Sequence, residues 1–309
     1  MTAKEKEAVK ERKIRKSNEL IQRARYKLPL PGQKILLYLI SRIKYDDTEF
    51  RTEEFVISDF CEICGIEDSG GNYKILKEAL SDLLTESARV WIMLPNGLQT
   101  PLMWIQKPYI DESSGKLMVT LDNDMRPYLL DLKKNYTQYE MIYTMRFRSK
   151  YSFRLYEIAK SYQYHDEHAF TKTYTVDELR GLLDADNYVH YRDFNSRVLK
   201  TALKEINTYT DKNLEIREIK NGRKVERLEL VISAKQGEAL DAVRALIGAR
   251  PRRQPTTPAD TTAPGKRSAA PRQKKPTKGN GDGSASGSGL LDIQWMQQHL
   301  GAGTETQAM

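Results

Sequence analysis

One predicted helical face of this 309-residue chain concentrates cations in a pattern that could do chemistry. Apolar residues that recur at helical spacing over 194–207 predict an amphipathic helix. Its core side consists of Phe194, Val198, Leu199, Ala202 and Ile206. At about 100° per residue, the opposite side carries Arg197, Lys200 and Lys204, with Ser196 and Asn207 beside them. This stripe fits the major groove of duplex DNA, where Arg reads guanine and Lys contacts phosphate. An ordinary solvated face fits the helix alone equally well.

A predicted hairpin directly after that helix adds a second group of cations. Residues 214–219 and 225–232 have the composition of strands, and Asn221-Gly222 between them predicts a tight type I′ turn. Four cations cluster at and beside this turn: Lys220, Arg223, Lys224 and Arg227. A basic hairpin next to a basic helix offers two contacts along one duplex, which favours DNA as the ligand.

A third group of cations surrounds the start of another predicted helix, residues 152–162. It consists of Arg146, Arg148, Lys150 and Arg154. Ser149 is a residue of the N-cap type, and as a cap it would direct the positive end of the helix at a phosphate. A structural role for Arg154, paired with an acid, is equally compatible with the sequence.

Residues typical of metal or nucleophilic sites are too scattered to form one. Cys61 and Cys64 have a CxxC spacing, but the chain has no other cysteine, so we interpret both as small buried hydrophobes. His165 and His168 do not form the His-hydrophobe-His motif of DNA-nicking initiators, and no glycine-rich phosphate loop occurs. We therefore expect no enzymatic activity, no metal and no cofactor.

The elements that would position these cations occur twice in the chain, as an internal repeat. The second copy has predicted helices at 152–162, 176–183 and 194–207, followed by the basic hairpin. The first copy has predicted helices at 34–43, 56–65 and 72–84, then strands at 90–94 and 101–110 around Pro95-Asn96-Gly97. Three helices followed by a two-stranded hairpin is the winged-helix plan. We expect an α+β fold with tandem winged-helix domains.

The first copy lacks part of the cationic pattern of the second. When the third helices are aligned, Arg197, Lys200 and Lys204 correspond to Lys74, Lys77 and Ser81. The predicted tip of the first hairpin carries no cation. We expect the first domain to make an auxiliary DNA contact and a protein–protein contact, and the second domain to be the main DNA binder.

Charge and composition divide the chain further. Residues 1–27 have a net charge of +6 and predict a basic arm. The first domain, 28–132, is at −7, whereas the second, 133–248, begins with a stretch (133–235) at +5. The composition of residues 249–289 predicts a disordered basic linker. The apolar cluster around Trp295, within 290–309, predicts either a docking segment for another protein or a short helix packed on its own domain. Without a signal peptide or membrane span, we expect a cytoplasmic protein.

Three stretches carry a resemblance to a known family. Arg148-Ser-Lys-Tyr-Ser-Phe-Arg-Leu-Tyr-Glu-Ile158 resembles the opening helix of the second winged helix in the replication initiators of theta-replicating, repeat-binding plasmids. Asp193-Phe-Asn-Ser-Arg-Val-Leu199, with Lys204-Glu-Ile-Asn207, is similar to that family's recognition helix. Lys16-Ser-Asn-Glu-Leu20 and Pro31-Gly-Gln-Lys-Ile-Leu36 are similar to its entry into the first domain. The resemblance covers about residues 15–235 and excludes the tail.

The resemblance implies binding to direct repeats at a plasmid origin, melting of an adjacent segment, and recruitment of the host initiator and helicase. It also implies a dimer, joined through the first domain, that represses the initiator's own gene. Asn195, Ser196, Arg197 and Lys200 would read bases, and Lys150, Lys220, Arg223 and Lys224 would hold phosphates. The full set that we expect to contact DNA adds Lys74, Lys77, Arg148, Ser149, Arg192 and Lys204.

Three other functions are compatible with parts of this pattern. A winged-helix transcription regulator without a replication role would carry the same fold and the same cations. A rolling-circle nicking enzyme is disfavoured by the histidine spacing. A protein-interaction scaffold would bind DNA weakly or without dependence on salt.

Deleting residues 249–309 should leave specific DNA recognition intact, because the predicted reader lies within 194–227. Non-specific affinity should fall, since the deleted linker carries a net charge of +7. Gel-shift titrations of the full and shortened chains against specific and unrelated duplexes measure both effects. Loss of specific recognition would show that the tail is part of the reader.

Overall fold

The computed structural model describes residues 1–66, 72–93, 98–111, 113–162 and 168–248. The predicted first turn at 95–97, the tail 249–309 and His165 lie outside the described residues. None of the described helices is long and apolar enough to cross a membrane.

The described residues contain twelve α-helices. In the first half of the chain these are α1 (Ala3–Lys10), α2 (Asn18–Arg23), α3 (Leu30–Ile40), α4 (Ile57–Ile63), α5 (Asn72–Leu83), α6 (Arg126–Leu129) and α7 (Ile142–Met145). In the second half they are α8 (Lys150–Tyr162), α9 (Val176–Leu182), α10 (Tyr191–Asp193), α11 (Lys200–Tyr209) and α12 (Glu238–Gly248). A π-helical segment, Phe194–Leu199, joins α10 to α11, and we call the continuous unit helix 191–209.

The described strands pair in antiparallel fashion. They are β1 (Lys13–Ser17), β2 (Glu53–Val56), β3 (Val90–Met93), β4 (Gln99–Leu102), β5 (Tyr109–Asp111), β6 (Lys116–Val119), β7 (Tyr136–Glu140), β8 (Phe170–Thr175), β9 (Lys212–Asn221) and β10 (Lys224–Ala234). Four sheets result, with strand orders β1-β7, β2-β6-β5, β3-β4 and β8-β10-β9. Two winged-helix domains are therefore present, as the sequence predicts.

The second winged helix consists of α8, α9, helix 191–209 and the sheet β8-β10-β9. The third strand, β8, has no counterpart in the sequence prediction. It leads directly into α9 through Thr175, whose hydroxyl accepts a hydrogen bond from the Glu178 amide while the Glu178 carboxylate accepts from the Thr175 amide. This capping box ends the strand and starts the helix within one residue.

The turn of the second wing differs from its predicted type. Asn221 pairs with Lys224 at the end of the ladder, so Gly222 and Arg223 are the two central residues. Only Gly222 has a positive φ, 62°. A positive φ at the first central residue alone is the requirement of a type II′ turn, and the predicted type I′ turn is wrong.

The first winged helix places its wing later in the chain than the sequence predicts. In the second domain the strand before α9 pairs with the returning wing strand. In the first domain the equivalent strand, β2, pairs with β6, and β6 pairs with β5. The first wing is therefore β5–β6, and the predicted strand 101–110 is divided between β4 and β5.

The hairpin β3–β4, predicted to be the first wing, instead joins the N-terminal segment. The Arg25 amide donates to the Trp91 carbonyl at 3.0 Å, and the Trp91 amide donates to the Arg25 carbonyl at 2.9 Å. This pairing is non-local, so no pattern within 90–110 could reveal it.

Residues 1–27 do not form a separate basic arm. Strand β1 pairs with β7, and Ile14, Leu20 and Ile21 are fully buried. The cations of this segment surround those apolar positions, and the predicted arm is wrong because the buried side chains hold the segment in the fold.

Helix α8 connects the N-terminal segment to the second domain through buried polar groups. Lys16 of β1 pairs with Glu157 of α8 at 2.7 Å, and the two side chains are 6% and 3% exposed. The Tyr139 hydroxyl of β7 donates to the same Glu157 oxygen at 2.5 Å. One carboxylate therefore joins β1, β7 and α8.

Replacing Lys16 with Met should cost about 3–5 kcal/mol of the free energy of unfolding, because the buried Glu157 charge loses its cation. Urea unfolding followed by circular dichroism measures the loss. The double variant Lys16→Met/Glu157→Leu should lose less than the single variant, since it removes both charges from the core. Equal losses in the two variants would contradict this account of the pair.

Candidate nucleic-acid interface

Helix 191–209 divides its side chains between the core and solvent as the sequence predicts. Phe194, Val198, Leu199, Ala202 and Ile206 are at most 1% exposed. Arg197, Lys200 and Lys204 are exposed. Within the described residues, no carboxylate forms an ion pair with any of these three cations.

The π-helical segment Phe194–Leu199 changes the angular arrangement of the stripe. An i→i+5 turn rotates each residue through less than the α-helical angle. Arg197 and Lys200 therefore lie further apart around the axis than the template of 100° per residue predicts. The exposed face is wider than the predicted stripe.

The C-terminal end of helix 191–209 is fixed by two polar side chains. The Asn207 amide group donates to the Leu214 carbonyl at 2.9 Å and accepts from the Leu214 amide at 2.7 Å, which ties the helix to β9. Lys235, which is 8% exposed, donates to the Asn207 and Thr210 carbonyls at 2.6 and 2.8 Å. A cation is favourable at the negative end of a helix. Burial lowers the pKa of Lys235.

The N-terminal end is tied to the wing by Glu218 of β9. One Glu218 oxygen accepts from the Tyr191 hydroxyl at 2.7 Å and from the Asn195 side-chain amide at 3.2 Å. Burial is the main cause that raises the pKa of Tyr191, with the bond to Glu218 second. Asn195, predicted to read bases, is thus held by the wing, whereas the Ser196 hydroxyl donates to the Asp193 carbonyl at 3.4 Å.

The second wing presents cations at its tip. Lys220, Arg223, Lys224 and Arg227 are all exposed. The nearest acid to Lys220 is Glu218 at 4.0 Å, the limit of an ion pair. Further along, Arg217 pairs with Glu215 at 3.0 Å. The charge at the tip is therefore more exposed to a ligand than the charge on the body of the hairpin.

The predicted phosphate site at the start of α8 is occupied by a protein carboxylate. Glu205 accepts from the Arg148 amide at 3.0 Å, the Ser149 amide at 3.3 Å and the Ser152 hydroxyl at 2.6 Å. Ser149 does cap the helix, accepting from the Tyr151 amide at 3.3 Å. A phosphate at this terminus would have to displace Glu205 from the Arg148 and Ser149 amides.

The cations around this terminus differ in their exposure and in their hydrogen-bond and ion-pair partners. Lys150 pairs with Asp184 at 2.6 Å, so a phosphate would compete with an ion pair already formed. Arg154 is 5% exposed and donates to the Ala24 carbonyl, the Leu182 carbonyl and the Tyr26 hydroxyl. These contacts favour the structural alternative, but the partners are two carbonyls and a hydroxyl instead of the expected acid. Arg148 is exposed, and Arg192 has a side chain that is 90% exposed.

The first domain presents fewer cations. Lys74 and Lys77 are exposed on α5, and Lys74 lies 3.9 Å from Glu78. On the first wing, Asp111 accepts from the hydroxyls and amides of Ser113 and Ser114. These hydrogen bonds lower the pKa of Asp111 to about 2. Lys116, opposite Asp111 on the first wing, pairs with Glu54 at 2.6 Å, so this wing lacks the group of cations without a close acid that the second wing carries at its tip.

Cys61 and Cys64 are buried, as the sequence analysis expects. Burial raises the pKa of Cys64 to about 12. Within the described ranges, no group of three or more His, Cys, Asp or Glu side chains could hold a metal ion.

Three residues that organise this surface were absent from the sequence prediction: Glu205, Glu218 and Lys235. Glu205 carried a detectable signal, as the one acid of α11, whose other charged residues are Lys200 and Lys204. The partners of Glu218 and Lys235 lie 23 to 28 residues away in sequence, and no local pattern identifies them.

Both winged helices match known family descriptions. Residues 13–160 match "Initiator Replication protein, WH1" and residues 175–232 match "Initiator Rep protein, WH2". Together the two matches cover more than half of the chain. The chain belongs to the family of initiator replication proteins.

Relatives of this initiator are known in sequence and in structure. An Escherichia coli "Replication initiation protein" is 28% identical over 219 residues, which are 69% of this chain and 67% of the relative. The chain is also similar to a solved structure, "Crystal structure of Pi initiator protein in complex with iteron DNA". The matched region covers 74% of this chain and 99% of the chain in that structure, with 21% sequence identity and a TM-score of 0.58. That likeness agrees with the winged-helix fold.

Proposed function

We propose that this initiator is a cytoplasmic, sequence-specific DNA-binding protein that starts plasmid replication from repeated origin sites. The observation that carries the proposal is the exposed cationic face of helix 191–209. Arg197, Lys200 and Lys204 have no ion-pair partner within the described part of the chain. An exposed cation without an acid partner loses no intramolecular pair when it meets a phosphate.

In this proposal helix 191–209 enters the major groove and the second wing contacts the adjacent backbone. Arg197 and Lys200 read base edges, with Ser196 beside them. Lys220, Arg223 and Lys224 hold phosphates at the tip of the wing. Asn195 reads a base only if its bond to Glu218 opens, and Lys150 holds a phosphate only if its pair with Asp184 opens.

The first domain contributes an auxiliary DNA contact and a self-association surface. Lys74 and Lys77 are its DNA candidates. The carboxylate on its wing disfavours phosphate and suits a protein contact. A dimer joined through this domain would repress the initiator's own gene.

Origin opening and recruitment of the host initiator and helicase complete the proposal. They are supported by family membership and by the E. coli relative named for replication initiation. The iteron DNA bound by the Pi protein supports repeated duplex sites as the ligand class. No enzymatic step, metal or cofactor is part of the proposal.

The alternative is a winged-helix transcription regulator without a replication role. Its DNA surface would be the same, so DNA binding alone does not separate the two. The proposal requires that inactivating the gene abolishes maintenance of its replicon when the host and the origin are intact. Stable maintenance without the protein would favour the regulator.

The salt dependence of binding to an origin duplex tests the cationic surface. Affinity should fall steeply with salt, with a slope of about −0.9 in log K against log salt for each phosphate neutralised. Lys224→Met should reduce the slope by about one, because Lys224 is one of the proposed phosphate contacts. Lys133→Met is the matched control, since Lys133 lies outside the helix and wing and pairs with Asp131 at 3.4 Å. A slope near zero for the parent protein would contradict the proposal.

Arg197→Ala should relax recognition at one base position by about 1–3 kcal/mol, because a bidentate contact to guanine would be lost. Competition gel shifts with every single-base variant of the bound repeat measure this discrimination. A uniform loss of affinity over all variants would mean that Arg197 contacts only phosphate.

A further inference from the structure

We propose that Glu205 is a positioning residue that fixes helix 191–209 against α8 and thereby sets the specificity of DNA recognition. The DNA part of this inference rests on the function proposed above. The mechanical part, the coupling of two helices through one carboxylate, stands on the contacts alone.

The contacts of Glu205 join two helices that are distant in sequence. Glu205 lies on α11, and its carboxylate oxygens accept hydrogen bonds from groups at the start of α8, more than fifty residues earlier in the chain. One oxygen accepts from the Arg148 amide, and the other accepts from the Ser149 amide and the Ser152 hydroxyl. Ser152 is fully buried, so its hydroxyl has no access to bulk water as a substitute acceptor.

The hydrogen bonds between Glu205 and the start of α8 fix the two helices in one relative position. The first amides of a helix lack partners within the helix and carry partial positive charge. Of these groups the Ser149 amide donates to Glu205, and the Arg148 amide just before it donates as well. Hydrogen bonds to a carboxylate are charge-assisted, which makes them shorter and stronger than neutral ones. Since the bonds converge on one side chain, any axial shift of α11 relative to α8 would lengthen them.

The first domain also borders this junction. Lys34 of α3 is 5% exposed and donates to the Cys64 carbonyl at 2.7 Å. Burial lowers the pKa of Lys34, and the charges of Cys64 and Glu205 act in the opposite direction. The charge of Glu205 therefore acts on a buried lysine of the first domain as well as on the donors at the start of α8.

Specific and non-specific binding depend on this position to different degrees. Base readout requires the Arg197 and Lys200 side chains to be held close to their productive geometry, and both lie on the same helical unit as Glu205. Non-specific attraction to phosphates depends on net charge and tolerates small displacements. Loosening the junction should therefore reduce specific affinity more than non-specific affinity.

The first measurement compares Glu205→Gln with two control variants. Glu238→Gln removes the same charge from an exposed position at the start of α12, outside helix 191–209 and the second wing. Ile158→Val weakens the packing of α8, where Ile158 is fully buried, without touching Glu205. The probes are a duplex of the replicon's origin and a scrambled duplex of equal length and composition.

Glu205→Gln should lower the ratio of origin to scrambled affinity by about tenfold, the discrimination of one good base contact. Both controls should keep the parent ratio. Equal ratios in all the variants, or an equal fall in Glu238→Gln, would overturn the specificity role.

The second measurement needs no DNA. In Glu205→Gln, backbone amides of 148–153 and of 200–209 should both exchange hydrogen faster than in the parent. In Ile158→Val, faster exchange should be confined to α8. Unchanged exchange over 200–209 in Glu205→Gln would overturn the coupling. If the parent protein did not prefer the origin duplex, both the proposed function and the specificity role of Glu205 would be overturned. Hydrogen exchange would still decide whether Glu205 couples α8 to helix 191–209.

Discussion

The buried ion pair between Lys16 and Glu157 is the interaction on which the arrangement of the structure depends. Burying two charges is costly unless each finds its partner with good geometry. Here the Lys16 ammonium and the Tyr139 hydroxyl meet on one Glu157 oxygen. Strands β1 and β7 can therefore take only one position relative to α8. An apolar contact of the same size would tolerate sliding, which this pair does not.

From that pair the constraint passes along α8 to helix 191–209. Lys160 near the end of α8 pairs with Asp211, just after helix 191–209, and the start of α8 is held by Glu205. Lys235 and Asn207 fix the C-terminal end of the same helix, and Glu218 fixes its N-terminal end. The polar contacts are thus concentrated at the ends, whereas the exposed cations between them have no acid partner within the described residues. This division keeps the helix rigid and leaves its charges available to a ligand.

The sequence was sufficient for features that depend on local periodicity. The core side of helix 191–209 follows from the spacing of Phe194 to Ile206, and the internal repeat identified both winged helices. Features that depend on pairing across long distances were missed. The position of the first wing is decided by β2 pairing with β6, about sixty residues apart in sequence. The burial of Ile14, Leu20 and Ile21 was not predicted. Residues 1–27 contain ten cations, and the alternation of apolar residues in a short strand is a weak signal beside them.

The unequal charge of the two wings has a physical consequence for how a duplex could lie on the molecule. Asp111 on the first wing accepts from the Ser113 and Ser114 donors, and these hydrogen bonds favour its charged form by lowering its pKa to about 2. A phosphate near that tip would meet a fixed negative charge. On α5 of the same domain, Lys74 is partly compensated by Glu78 at 3.9 Å. The tip of the second wing, with its exposed cations Lys220, Arg223 and Lys224, therefore offers a phosphate a more favourable charge than the first wing does.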